Sequence, residues 1–162
     1  MNNKKEIMTL KEKLEKLKKL NEQNKEPDWV AYKEVWKKAV SELENTITYK
    51  WFNDYEEKGL MTFAIVPVKR IEPFIGEYLT TLLEITLSEN KFLVLEPVSA
   101  VTTEYDGKLE LYMRGNVYKK VSILRRIIDE QKHEWIIAKS YAPKDHQILD
   151  KFQLEKLIDE WL

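Results

Sequence analysis

The chain has 162 residues, 43% hydrophobic and 34% charged, the composition of one globular domain somewhat rich in charge. Lysine and arginine total 27 against 28 acids, which argues against a chain that as a whole coats nucleic acid or an anionic membrane. Cysteine is absent, so disulfides, thiol nucleophiles and cysteine-ligated metals are excluded.

The first twenty residues are laced with Lys and Glu and contain no continuous apolar run, the opposite of a secretory signal. No stretch approaches the roughly 20 apolar residues of a membrane span. The expectation is a soluble cytoplasmic protein in two parts: a helical arm over 1–26 and a single α+β domain over 27–162.

In the arm, Ile7, Leu10, Leu14 and Leu17 follow the 3-4-3 spacing of a coiled-coil seam. Asn21 and Asn24 take the next two seam positions and end it. Two heptads are fewer than a free-standing coiled coil uses. Through Glu26 the arm holds eight lysines and five acids, net +3, leaving 19 bases and 23 acids, net −4, beyond it. The seam either packs on the body or frays, or it docks another protein or a second copy along an element about 30 Å long.

Asn24-Lys25-Glu26-Pro27 marks the break, and Pro27 suits the first turn of a long helix ending at Lys58-Gly59. Trp29, Tyr32, Trp36, Val40, Leu43, Ile47 and Trp51 recur at steps of three or four, one helical face. Lys33, Glu34, Lys37, Lys38, Glu44 and Glu56 form the expected solvated side. Thr46-Ile47-Thr48 is a β-branched weak point where the helix can bend or split. Trp29, beside the arm, is the aromatic residue expected at an interface.

From Leu60 onward the period alternates. Thr62–Val68 is apolar on both faces, as in a covered strand, although Pro67 points to an edge or a bulge. Residues 71–76 read as a loop, 79–87 as a half-buried strand, and Ser88-Glu89-Asn90 as a turn into Phe92–Leu95. Asp106-Gly107 predicts a tight turn between strands 101–105 and 108–113. A three-residue turn at Arg114-Gly115-Asn116 pairs Met113 with Val117, Leu109 with Val121 and Glu110 with Lys120, keeping one face apolar. Residues 117–128 and 134–140 make a last hairpin. Asp150 and Gln153 have capping-box spacing, with Leu149 and Leu154 as a hydrophobic staple, so the chain closes on a short helix.

Chemistry-bearing residues are sparse. His146, Asp145 and Asp150 lack the second histidine or cysteine of a usual zinc site, and His133 has no triad context. The four glycines form no phosphate loop. No metal or cofactor is expected. Glu84 and Glu96 lie in otherwise apolar strands of one hairpin and are expected on one face, offset diagonally, as pocket acids or as ordinary solvated carboxylates. Arg114, Lys119, Lys120, Arg125 and Arg126 make an acid-free basic run beside Tyr112 and Tyr118. Such a run binds single-stranded nucleic acid or simply protects strands, and its alternation splits it between two faces.

The predicted architecture is α+β: an N-terminal helical arm, one long amphipathic helix packed on a curved antiparallel meander of six to seven strands, and a short C-terminal helix. The function expected first is a non-catalytic binding or adaptor protein using Ile7, Leu10, Leu14, Leu17 and Trp29. A small-molecule site between helix and sheet and a nucleic-acid surface are the alternatives.

Overall fold

The computed structural model describes residues 9–23 and 28–162; Ile7 and Pro27 lie outside them. Helix α1, Leu10–Gln23, opens on a reciprocal capping box. Thr9 Oγ1 accepts from the Glu12 N–H at 3.2 Å, and the Glu12 carboxylate accepts from the Thr9 N–H at 3.4 Å.

Helix α2, Trp29–Asn45, starts at an Asp28 N-cap whose carboxylate accepts from the Ala31 N–H. Past Asn45 the backbone widens into a π-helical segment, Thr46–Trp51, and breaks at Phe52 before α3, Asn53–Glu57. The β-branched weak point has a visible cause. The Thr46 and Thr48 hydroxyls donate back to the Glu42 and Glu44 carbonyls, both at 2.9 Å, drawing on acceptors of the helical ladder. The Phe52 N–H reaches the Ile47 carbonyl five residues back, the π spacing, and the Phe52 ring is fully buried. Gly59, at φ 70°, ends the helical run where the Lys58-Gly59 signature predicts.

Seven antiparallel strands follow in simple sequential order, forming an open sheet. They are β1 Thr62–Glu72, β2 Gly76–Ser88, β3 Lys91–Ser99, β4 Lys108–Met113, β5 Lys120–Asp129, β6 Lys132–Ala138 and β7 His146–Ile148. Helix α4, Lys151–Trp161, closes the chain. Its Asp150 cap accepts from the Gln153 N–H at 2.7 Å, and Leu149 and Leu154 are both buried, as the box-and-staple pattern predicts.

One sheet face supplies Leu83, Ile85, Leu93, Leu95, Leu109, Leu111, Ile123 and Ile137 to the core. Trp36, Val40, Leu43 and Ile47 of the helical run and Leu154, Leu157, Ile158 and Trp161 of α4 complete it. Full burial of each such aliphatic side chain stabilises by about 1.5–3 kcal/mol.

Several sequence expectations are corrected. β1 is an edge strand, as Pro67 suggests, yet it is not covered on both sides: Ile65 and Val66 are exposed. Residues 101–105 form no strand. β3 pairs directly with β4, a register shift between Pro97 and Ser99 ends that pairing, and residues 100–107 loop over the sheet. β4 and β5 pair two residues further along than a three-residue turn gives, with Leu109 opposite Ile123 and Leu111 opposite Val121. A two-residue slip preserves every face, so the apolar side survives the longer turn. Glu110 then faces Ser122 but still meets Lys120 Nζ diagonally at 2.6 Å. Glu44 is buried, not solvated, at 2% exposure.

Candidate functional site

The α1 seam is open. Leu10, Leu14 and Leu17 are 72%, 55% and 55% exposed, so no described part of the chain covers them. Trp29 begins α2 half-buried. Its indole stacks on Phe74 with ring centres 5.9 Å apart and planes 21° apart, and meets Tyr32 edge-on at 5.9 Å. Phe74 is 81% exposed at the tip of the β1–β2 hairpin. It holds φ 70°, inside a three-residue turn closed by the Ile75 N–H on the Pro73 carbonyl at 2.8 Å. Positive φ is strained for a bulky residue, and such strain persists where the surroundings hold it.

Glu84 and Glu96 do share a sheet face, and Glu84 stands opposite Val94 as predicted. They do not act as a pair, because each has its own arginine. Arg114 binds Glu84, and Arg70 binds Glu96, which also accepts from the Tyr112 hydroxyl at 2.7 Å. Burial and the Glu96 hydrogen bond push the Tyr112 phenol up to about 12. The residue directly opposite Glu96 is another acid, Glu110, held by Lys120.

The basic run is distributed over the molecule. Arg114 also covers the Phe92 ring at 5.0 Å, and Lys119 Nζ donates to the Trp161 carbonyl on α4. Arg126 pairs with Glu134 beside it on β6. Arg125 points to the core face at 4% exposure, donating from Nε to His133 Nδ1 at 3.1 Å and from its Nη1 to the Asp106 carbonyl at 3.0 Å. Burial lowers the Arg125 pKa, and burial together with Arg125 lowers that of His133. The five cations therefore do not converge on one surface.

Sequence reasoning missed a concavity on the sheet face turned away from α2. Thr102, Thr103, Glu104 and Tyr105 form one wall, Ser140, Tyr141 and His146 another, over Leu124 and Ala138 of β5 and β6. Its volume is about 560 Å³. A second hollow of about 660 Å³, around Arg70, Glu96 and Tyr112, adjoins it through the shared Glu110–Lys120 pair. Two residues lining the first concavity stood out in the sequence for other reasons, Lys120 in the basic run and His146 as a metal candidate with Asp145 and Asp150. Asp145 and Asp150, its imagined metal partners, are otherwise engaged, by the Ser140 hydroxyl at 2.5 Å and by the α4 N-terminus. Among the described residues no group of three or more His, Cys, Asp or Glu gathers as for a metal, and no helix is long and apolar enough to cross a membrane. No family model, no curated protein and no solved structure matches the chain.

Proposed function

We propose that the chain is a binding protein whose α1 arm docks an acidic amphipathic helix of a partner protein, with the Trp29–Phe74 pair as a second anchor. The observation that carries this reading is the uncovered stripe of Leu10, Leu14 and Leu17. Apolar helical stripes of this kind bury against a facing helix.

Charge selects the occupant. With Leu14 at a and Leu10 and Leu17 at d of a heptad, Lys11 and Lys18 fall at e and Lys13 at g. A parallel second copy sets Lys13 against Lys18, and an antiparallel one brings lysines to lysines. A partner with Glu or Asp at e and g turns each repulsion into an attraction. Trp29 and Phe74, aromatic and partly open, are the residue types that anchor interfaces.

The test titrates the full chain against two labelled four-heptad peptides with Leu at a and d, one carrying Glu at e and g and the other Lys. Fluorescence anisotropy is expected to show the acidic peptide bound at least tenfold tighter, weakening with salt, and released by Leu14→Glu. Equal affinity for both peptides, or binding of neither, overturns the proposal. So does a light-scattering mass of two chains that Leu14→Glu reduces to one, since the seam then belongs to a second copy.

A further inference from the structure

The concavity over β4–β6 carries a separate inference, independent of the α1 arm. Its floor is Leu124 and Ala138, which with Ile136 form an apolar cluster apart from the main core, with Tyr105 packed on it. A volume of about 560 Å³ lies within the range that small-molecule sites occupy.

The walls are fixed before any ligand arrives. Thr102 and Tyr105 close a turn on each other: the Thr102 hydroxyl donates to the Tyr105 carbonyl at 3.0 Å and accepts from the Tyr105 N–H at 2.8 Å. That loop is tied to the opposite wall through the Tyr105 hydroxyl and His146 Nδ1, 3.2 Å apart. His146 Nε2 lies 3.0 Å from the Ser140 carbonyl and therefore donates there, which turns Nδ1 toward the Tyr105 hydroxyl. A rigid rim reduces the ordering penalty of binding.

The lining charges sort themselves. Lys120 is held by Glu110 at 2.6 Å and Lys139 by Glu160 of α4 at 3.2 Å. Among the described residues, no carboxylate oxygen lies within 4.0 Å of Lys108 Nζ. Lys108 stands on β4 opposite Leu124, beside the apolar floor, with Ser122 two residues away along β5. Glu104, exposed at the rim, sets a negative charge against any multiply charged anion. We infer that this cavity is a binding site for a small monocarboxylic acid with a flat apolar body, the body lying on Leu124 and Ala138 and the carboxylate meeting Lys108.

Isothermal titration calorimetry on the full chain tests this with three probes sharing one ring system: 2-naphthoic acid, 2-naphthalenemethanol and 2-naphthyl phosphate. The acid is expected to bind at least tenfold tighter than the alcohol, and the phosphate no tighter than the acid. Lys108→Gln should bring the acid down to the alcohol's affinity while leaving the alcohol unchanged. Ser122→Phe, which fills the space above the floor from a half-buried strand position, should abolish binding of both. No binding of the acid, an acid preference that survives Lys108→Gln, or tighter binding of the phosphate overturns the assignment.

Discussion

Gly107 lies against the benzo ring of Trp36: a β-carbon built on it would fall 2.1 Å from Trp36 Cζ3. The indole is fully buried, and Gly107 holds φ 137°, a region that side chains avoid. Gly107→Ala therefore adds backbone strain to a clash with a ring that cannot swing away. We expect a loss of about 3 kcal/mol in urea unfolding. A loss below about 1 kcal/mol would show that the backbone at Gly107 is free to move off Trp36.

Glu44 is buried between α2 and β2. One carboxylate oxygen accepts from the Thr81 hydroxyl at 2.6 Å, and the other has no hydrogen-bond partner among the described residues. Burial raises its pKa, with the Thr81 bond opposing. A raised carboxyl pKa means that the folded state holds the proton more tightly than the unfolded chain. Its contribution is favourable below the ordinary carboxylate range and is lost as pH rises through the folded value. We expect Glu44→Gln to stabilise the protein at pH 7 by about 1 kcal/mol and to flatten thermal stability between pH 4 and 7. An unchanged pH profile would place the Glu44 carboxyl in water.

The Arg125–His133 contact predicts the opposite slope. His133 accepts from Arg125 Nε, and its pKa is lowered by burial first and by the guanidinium second, with Glu42 opposing. A lowered histidine pKa gives stability that is present above the ordinary histidine value and is lost as pH falls through the folded one. His133→Ala should cost about 2 kcal/mol at pH 7, because it strips the acceptor from a buried donor, and should remove the acid-side decline. Denaturant midpoints at pH 5 and pH 8 check both.

The Arg114–Glu84 pair should matter far less. Its arginine side chain is half exposed, and solvent screens the attraction. A double-mutant cycle of Arg114→Met and Glu84→Gln should give a coupling of about 0.5 kcal/mol that shrinks in high salt. A coupling above about 2 kcal/mol would mark a dry, organised site there.

The sequence was most legible where spacing alone decides. Trp36, Val40, Leu43 and Ile47 are buried as their steps require, and Asp150 caps α4 as its distance to Gln153 requires. Glu44 shows charge misleading where spacing did not. It stands four residues after Val40 and three before Ile47, on the apolar face, and the fold buried it there. The β4–β5 register was illegible for a different reason. Pairings two residues apart give identical faces, so alternation cannot separate them, and turn length decided. The cavity over β4–β6 was invisible because its walls, near residues 102–105 and 140–146, meet only after the sheet forms.

Pro67 sits in the middle of β1, the long outermost strand, between Ile65-Val66 and Val68. Phe63–Val68 is uncharged, and it is rich in the side chains from which amyloid zippers are built. An unpaired strand edge of that composition would template copies of itself, each new chain adding a rung. A residue without an N–H interrupts the donor row that such growth needs. One imino acid thus acts as a gatekeeper for the whole molecule, and Pro67→Thr should leave the monomer folded while shortening the lag before fibres appear.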